Sequence, residues 1–179
     1  MDVLLVPPLN FAMVLPGVYR SGYPNPKNHP FLHRLGLRSV LYLAPDPLSP
    51  SNVEFFDRIQ CHVFHLPLES NKEPFTQMDP ELTQQALALM LNPRHHPMLV
   101  HCNKGKHRVG CVVGILRKWQ GWSLTHIFEE YKRFSGPKMR LADQEYIELY
   151  DYEPSGEHQS GQVESGQVES GQTESGPLL

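Results

Sequence analysis

Cysteine is scarce in this chain: Cys61, Cys102 and Cys111 are the only three among 179 residues. So small and odd a number does not make a disulfide framework, and a reducing compartment is the simpler reading. The cytosol is the expected place, with the nucleus left open. Long apolar runs are missing too. No stretch approaches the ~20 residues that a membrane span requires. The apolar residues from Val3 to Val6 are broken by Pro7 and Pro8, with no basic segment before them, which argues against a signal peptide. Nor is there a surplus of one charge. The net charge is −3, and the stretch 154–179 holds Glu157, Glu164, Glu169 and Glu174 with no Lys or Arg. Without those four carboxylates, sixteen basic residues face fifteen acidic ones. Global charge therefore points neither to nucleic acid nor to a membrane surface, and any attraction for anions must come from a local cluster. His95 and His96 stand together before Pro97, but no further ligands gather near them, so a loop is expected there and no metal or cofactor.

What is present suits one domain with an appendage. Apolar residues make up 40% of the chain, enough for a sizeable core. Residues 1–153 read as the domain. From Ser155 the text runs SGEHQ, SGQVE, SGQVE, SGQTE, SGPLL. Such a five-residue repeat offers almost no apolar burial against its ordering entropy, so 154–179 is expected to be a disordered tail.

Within the domain, strand and helix signals alternate. Val18–Arg20 comes after Pro16-Gly17 and reads as a short edge strand; Arg38–Ala44, His62–Leu68 and Met98–His101 are strand-like. Helices are expected over 27–35, stopped by Gly36, over 52–60 with Ser51 or Asn52 as cap, and over 79–91 with Asp79 capping and Pro80 at the first position. Further helices fall at about 108–120, 123–134 with Ser123 as cap, and 141–149. The apolar stripe of the 79–91 helix is Leu82, Ala86, Leu89 and Met90; that of the 123–134 helix is Leu124, Ile127, Phe128 and Tyr131. This alternation predicts an α/β fold with a mostly parallel central sheet flanked by helices. Ligands of such sheets sit beyond the carboxyl ends of the strands, which draws attention to the segment just after His101.

That segment is Cys102-Asn103-Lys104-Gly105-Lys106-His107-Arg108, succeeded by an apolar helix. A loop tight enough to join strand and helix turns successive N–H groups toward its centre, and the helix start adds the positive end of its dipole. Gly105 permits a backbone that other residues resist. Arg108 can grip two oxygens of one phosphoryl group in a fork. The same field favours the thiolate of Cys102, which could attack phosphorus in line and form a phosphocysteine for water to hydrolyse. Arg108 and the loop amides would stabilise charge on the equatorial oxygens. Against this stands the plainer possibility of a packed cysteine beside a solvated basic turn. The apolar strand before it, the Cys-to-Arg spacing, the internal glycine and the apolar helix after it together favour the phosphate site. His101 is expected to hold the loop by hydrogen bonds. His107 either contacts substrate or faces solvent.

The run HCNKGKHRVGC resembles the HC-x5-R signature of protein tyrosine and dual-specificity phosphatases. With Gly17-Val18-Tyr19-Arg20-Ser21-Gly22-Tyr23-Pro24, Lys72-Glu73-Pro74-Phe75 and Ile127-Phe128-Glu129-Glu130-Tyr131-Lys132-Arg133-Phe134, it is similar to the plant and fungal atypical dual-specificity phosphatases over about residues 16–152. That resemblance implies phosphocysteine chemistry at Cys102 with Arg108 as clamp and no metal. It also implies removal of the β-phosphate of the 5-position diphosphate of inositol pyrophosphates, with activity on phosphotyrosine peptides associated as well. Where the family has an Ile-Pro-Asp-like segment, this chain reads Met78-Asp79-Pro80-Glu81, with acid and proline exchanged. Asp79 is therefore either a general acid or simply the helix cap, and Glu73 is a second candidate acid. The chemistry bears on the substrate. A phosphate leaving group, with a last pKa near ~6, tolerates departure unprotonated. A phenolate, near ~10, profits much more from a proton donor. A weak acid thus favours an anhydride.

Asn103, Lys104, Gly105, Lys106 and His107 are the expected substrate contacts, with Lys72 as a possible extension. Their charge exceeds what one phosphotyrosine needs and suits a highly anionic inositol pyrophosphate, a phosphoprotein being the other partner class. Cys111 reads as core packing or as a redox partner of Cys102; Cys61 reads as a packed thiol, and Trp119 and Trp122 are expected to pack a helix junction. A non-catalytic phosphate-binding scaffold and a rhodanese-like sulfur carrier are the readings from other classes. The intact Cys102 and Arg108 argue against the first, and the Arg spacing and helix glycines against the second.

Overall fold

A computed structural model describes residues 4–72 and 77–154 of the chain. Glu73, the second candidate acid, with Pro74 and Phe75, and the repeat from Ser155 onward lie outside the described residues. Five strands, β1 (Ala12–Leu15), β2 (Val18–Ser21), β3 (Ser39–Tyr42), β4 (His62–His65) and β5 (Met98–His101), form one sheet in the order β1-β2-β5-β3-β4. The β1–β2 pair is antiparallel and every other pair is parallel, as the alternation of signals predicts. The middle strand β5 is fully buried along its length, which suits a continuous apolar run covered on both faces.

Among the described residues six α-helices cover the sheet: α1 (His29–Arg34), α2 (Pro50–Arg58), α3 (Pro80–Leu91), α4 (His107–Trp119), α5 (Leu124–Ser135) and α6 (Leu141–Leu149). Strand alternation sorts them. Val40 and Leu99 point to one face and pack with Leu32 of α1 and Phe55 and Phe56 of α2. Leu41, Met98 and Val100 point to the other, where α3 to α6 bring Leu87, Met90, Val112, Val113, Ile127 and Ile147. Helix α4 is the hub of that face, buried from Val109 to Arg117. A Cβ at Gly110 would meet the Tyr131 ring at 2.8 Å, so only glycine lets α5 lie so close. No described helix is long and apolar enough to cross a membrane.

Several local expectations change. Strand β2 is not an edge, because β1, which its own sequence signals weakly, pairs outside it. Helix α2 begins earlier than the reading from Ser51 or Asn52: Ser49 caps it, accepting from the Asn52 amide, and Pro50 takes the first position where its missing N–H costs nothing. Asn52 is instead buried, bonding His29 at 2.9 Å and donating to the Pro24 carbonyl at 3.0 Å. Residues 27–35 divide into a 3-10 turn, Pro26–Asn28, and the short α1. Trp119 and Trp122 flank the junction of α4 and α5 but stay nearly half exposed, with the Arg117 guanidinium 4.4 Å from the Trp122 ring centre. Asp79 caps α3 as expected, and its apolar stripe also takes in the fully buried Thr83 and Leu87.

Candidate active site

The loop 102–106 leaves the carboxyl end of β5 and runs straight into α4. Its geometry is set by where its carbonyls go. The Asn103 carbonyl accepts from the Tyr23 amide at 3.1 Å, the Lys104 carbonyl from Asn10 Nδ2 at 2.8 Å, and the Gly105 carbonyl from Arg20 Nη2 at 2.9 Å. In a trans peptide the next N–H points opposite to the C=O. Three carbonyls held outward therefore turn the amides of Lys104, Gly105 and Lys106 inward, and none of these amides has an acceptor among the described residues. Gly105 has φ +67°, and a Cβ there would lie 2.6 Å from the Gly22 nitrogen and the Ser21 carbonyl carbon. Glycine is required both for the left-handed turn and for the contact with the end of β2.

Cys102 lies at the floor of this loop, 3% exposed. Helix α4 opens above it with no side-chain cap, which leaves its first N–H groups and the positive end of its dipole to an anion. Arg108 donates through Nε to the Leu68 carbonyl at 2.6 Å. That bond anchors the guanidinium and leaves both terminal nitrogens unpartnered among the described residues, the fork that a phosphoryl group accepts. Cys102 and Arg108 both act on the buried Tyr42, whose hydroxyl burial pushes up to about 12.

Not every loop side chain faces the cradle. Lys106 Nζ donates to the Ser135 carbonyl at the end of α5, 3.3 Å away. His107 Nδ1 pairs with Asp143 Oδ2 at 2.9 Å and with the Tyr131 hydroxyl at 3.1 Å. These two residues can thus offer the anion their backbone, while their side chains brace the loop against α5 and α6. Asn103 and Lys104 are exposed. His101 does not hold the loop by side-chain hydrogen bonds as expected: neither ring nitrogen has a partner among the described residues. The ring instead stacks on Tyr42, centres 4.8 Å apart, with Tyr23 edge-on. Burial lowers its pKa to about 3, outweighing a smaller opposing pull from the Cys102 backbone, so it is a neutral spacer under the loop.

Asp143 is the site residue that sequence reasoning missed most completely. Fully buried in α6, it accepts from His107, from the Tyr131 hydroxyl and from Asn71 Nδ2. Burial pushes its carboxyl upward, but those hydrogen bonds together hold it below the usual carboxylate range. Burial and the Asp143 hydrogen bond drive the Tyr131 hydroxyl the other way. Asn71 Oδ1 in turn accepts the Met78 amide at 2.7 Å, tying the segment before α3 to the loop's brace. No local pattern marks Asp143, because its partners lie on other elements.

Cys111 is buried against this network, 3.7 Å from Asn71 Nδ2, and burial first, then Asp143, raises its pKa well above the ordinary value. A neutral packed thiol fits it better than a redox partner. Cys61 is likewise buried and pushed up to about 12, and all three cysteines are free. Asp79 caps through one carboxylate oxygen, Oδ1, 2.8 Å from the Glu81 amide and 3.2 Å from the Leu82 amide. No hydrogen bond among the described residues joins it to the loop. Lys72 stands apart as well, exposed beside Asn71, Arg140, Leu141 and Ala142 around a pocket of ≈ 360 Å³. Arg140 Nη1 donates to the Asn71 carbonyl there.

The sequence profile of the tyrosine phosphatase family matches residues 5–168. Inositol diphosphatase DSP1 of Oryza sativa subsp. japonica is 50% identical over 148 residues, which cover 83% of this chain and 67% of that protein. Inositol diphosphatase SIW14 of Saccharomyces cerevisiae is 45% identical over 148 residues, 82% of this chain but only 53% of the yeast protein. The crystal structure of the core catalytic domain of the PP-IP phosphatase SIW14 from S. cerevisiae, in complex with citrate, superposes with a TM-score of 0.79 at 43% identity, covering 83% of this chain and 89% of that one.

Proposed function

This chain belongs to the tyrosine phosphatase family, and we propose that within it the protein is an inositol diphosphatase, removing the β-phosphate of 5-diphosphoinositol polyphosphates through a phosphocysteine on Cys102. The observation that carries this reading is the cradle: three loop carbonyls bonded outward, their amides turned inward over Cys102, and Arg108 anchored through Nε beside them.

The chemistry is dictated by the parts. The β-phosphoryl group sits in the cradle, its oxygens on the amides of Lys104, Gly105 and Lys106 and on the terminal nitrogens of Arg108. The Cys102 thiolate attacks phosphorus, forming the S–P bond as the anhydride P–O bond breaks and the inositol phosphate departs as its oxyanion. Water then cleaves the phosphocysteine and releases inorganic phosphate. The amides and the guanidinium are already aimed where charge accumulates, so no reorganisation is needed as the transition state forms.

Two features favour the anhydride over an aryl ester. Asp79 caps α3 through Oδ1 and makes no hydrogen bond to the loop among the described residues, and a phosphate leaving group is the one that manages without a proton donor. Cationic side chains also continue past the cradle. Lys104 is exposed on the loop, and Lys72 and Arg140 line a separate pocket whose Asn71 reaches the Asp143 brace, where the remaining phosphates of the ring can be met. An affinity built on such exposed charges falls as salt rises.

The test is product identification after incubation with a 5-diphosphoinositol polyphosphate and, in parallel, a phosphotyrosine peptide, with Cys102→Ser as control. Release of phosphate from the inositol diphosphate, abolished by Cys102→Ser, is the expected result. Turnover of the peptide alone would assign the protein to phosphoproteins instead. Retained binding without turnover of either would make it a scaffold.

A further inference from the structure

Arg20 is an anomaly in the core. It lies in β2, paired in register with Val100 of β5, and is 1% exposed. A guanidinium so deeply buried is normally met by a carboxylate. Here Glu130, the acid that acts on it, is held elsewhere: both its oxygens accept from Arg117, at 2.9 and 3.1 Å. Arg20 Nε has no partner among the described residues. The single hydrogen bond that the guanidinium makes there goes to the Gly105 carbonyl of the phosphate loop, and one face of it rests 3.7 Å from the centre of the Phe134 ring.

We infer that Arg20 is a positioning residue for the phosphate loop: by holding the Gly105 carbonyl outward from below, it aims the Lys106 amide at the bound phosphoryl group and sets a fixed positive charge behind the cradle.

The reasoning is one of cost against use. Desolvation makes an unpaired interior cation expensive, and lowers the Arg20 pKa to about 10. The apolar stack on Phe134 and one neutral carbonyl recover only part of that cost. What gains from the charge is the anionic phosphoryl group that the loop holds. Cys102 is among the groups that favour the charged Arg20, together with Glu130, while Arg117 and Arg133 oppose it. The loop in turn packs against β2 so closely that a Cβ on Gly105 would strike Ser21 and Gly22, the two residues after Arg20. The end of β2 is thus the seat on which the loop is shaped, and Arg20 is its one charged contact. Unlike Arg108, it never touches the substrate.

This role separates stability from anion binding, and the test uses the separation. It rests on Cys102 and Arg108 forming a phosphate site but not on the identity of the substrate. Orthovanadate affinity, kcat on para-nitrophenyl phosphate and melting temperature are measured for the full chain and for Arg20→Met, which keeps the bulk and removes the charge. Replacing an unpaired buried charge by an apolar side chain of similar volume leaves stability unchanged or raised. Losing one charge-assisted hydrogen bond from the cradle's frame weakens the vanadate complex and lowers kcat by about tenfold or more each. A melting temperature at or above wild type with both losses is the expected result. Vanadate affinity and kcat within about twofold of wild type would overturn the inference, whatever happens to stability. Should Arg20→Met not yield folded protein, Arg20→Gln decides: its neutral amide must still weaken vanadate by about threefold or more, and wild-type affinity rejects the role. A wild-type protein that binds vanadate but ignores inositol diphosphates removes the substrate reading and leaves this inference standing.

Discussion

Helices α3 and α4 start differently, and the difference marks the site. At α3 the Asp79 carboxylate takes the Glu81 and Leu82 amides, and Pro80 removes an N–H that would otherwise need a partner. At α4 no side chain caps the first turn, and Lys106, the residue in the cap position, sends its ammonium to Ser135 instead. A closed helix start is finished structure. An open one, with a thiol below it and an anchored guanidinium beside it, has the donors that an anion accepts. The residue that resembles a general acid sits at the closed start, which favours the proposed substrate with its good leaving group.

The contrast is broken most directly at the clamp. Arg108→Lys keeps the charge of the open end but loses the fork, so kcat/KM on the inositol diphosphate should fall by about a hundredfold or more with the melting temperature nearly unchanged. A loss below about threefold would mean that point charge, not the cradle, does the binding. Reshaping the cradle comes next. Gly105→Ala puts a methyl 2.6 Å from the end of β2 at a left-handed φ, so unfolding in urea should show a loss of about 2–4 kcal/mol together with a fall in activity. An Ala variant as active and stable as wild type would show that the loop is not seated on β2.

His101 sharpens the comparison through pH. The unfolded chain carries an ordinary imidazole, protonated below ~6.5, whereas the folded ring stays neutral down to about 3. Between those values the unfolded state binds the extra proton, so stability drops as pH falls through that window and is flat above it. One such group gives a slope of at most about 1.4 kcal/mol per pH unit. His101→Phe, which keeps a stacking ring, should remove that part of the slope in urea unfolding between pH 7 and pH 5. An unchanged slope would place the titration elsewhere. The smallest effect is expected at the closed end. Asp79→Asn still caps a helix, so stability should move by about 0.5 kcal/mol or less, and turnover of an inositol diphosphate should stay within about threefold. If that substitution abolished turnover, Asp79 would be the acid after all and the argument for an anhydride would fail.

Local chemistry was legible wherever neighbours in sequence are neighbours in space. The caps at Asp79 and Ser123 and the start of α6 agree with the reading of composition and periodicity because each depends on partners within about four residues, and the extent of β5 agrees because its apolar run is bounded locally even though its pairing partners are distant. The edge reading of Val18–Arg20 failed because β1 carries too weak a pattern to announce the strand that covers it. The hydrogen-bonding role expected for His101 failed for a different reason. A histidine before a loop looks like a polar anchor, and only the two tyrosines packed on it, from β3 and from the segment after β2, reveal a ring held by stacking.

What the sequence determined by itself is the candidate reacting pair and the path between them: Cys102, five residues, Arg108, with a glycine where the loop must turn left-handed and an apolar strand and helix on either side. Tertiary structure alone decided which way each peptide faces. The carbonyls that orient the cradle are held by Asn10, Arg20 and Tyr23, and the His107 side chain by Asp143, across 94, 85, 80 and 36 residues of chain respectively. Hydrogen bonds spanning such separations form only when packing has already brought their elements together, so no periodicity or spacing within the chain can encode them locally.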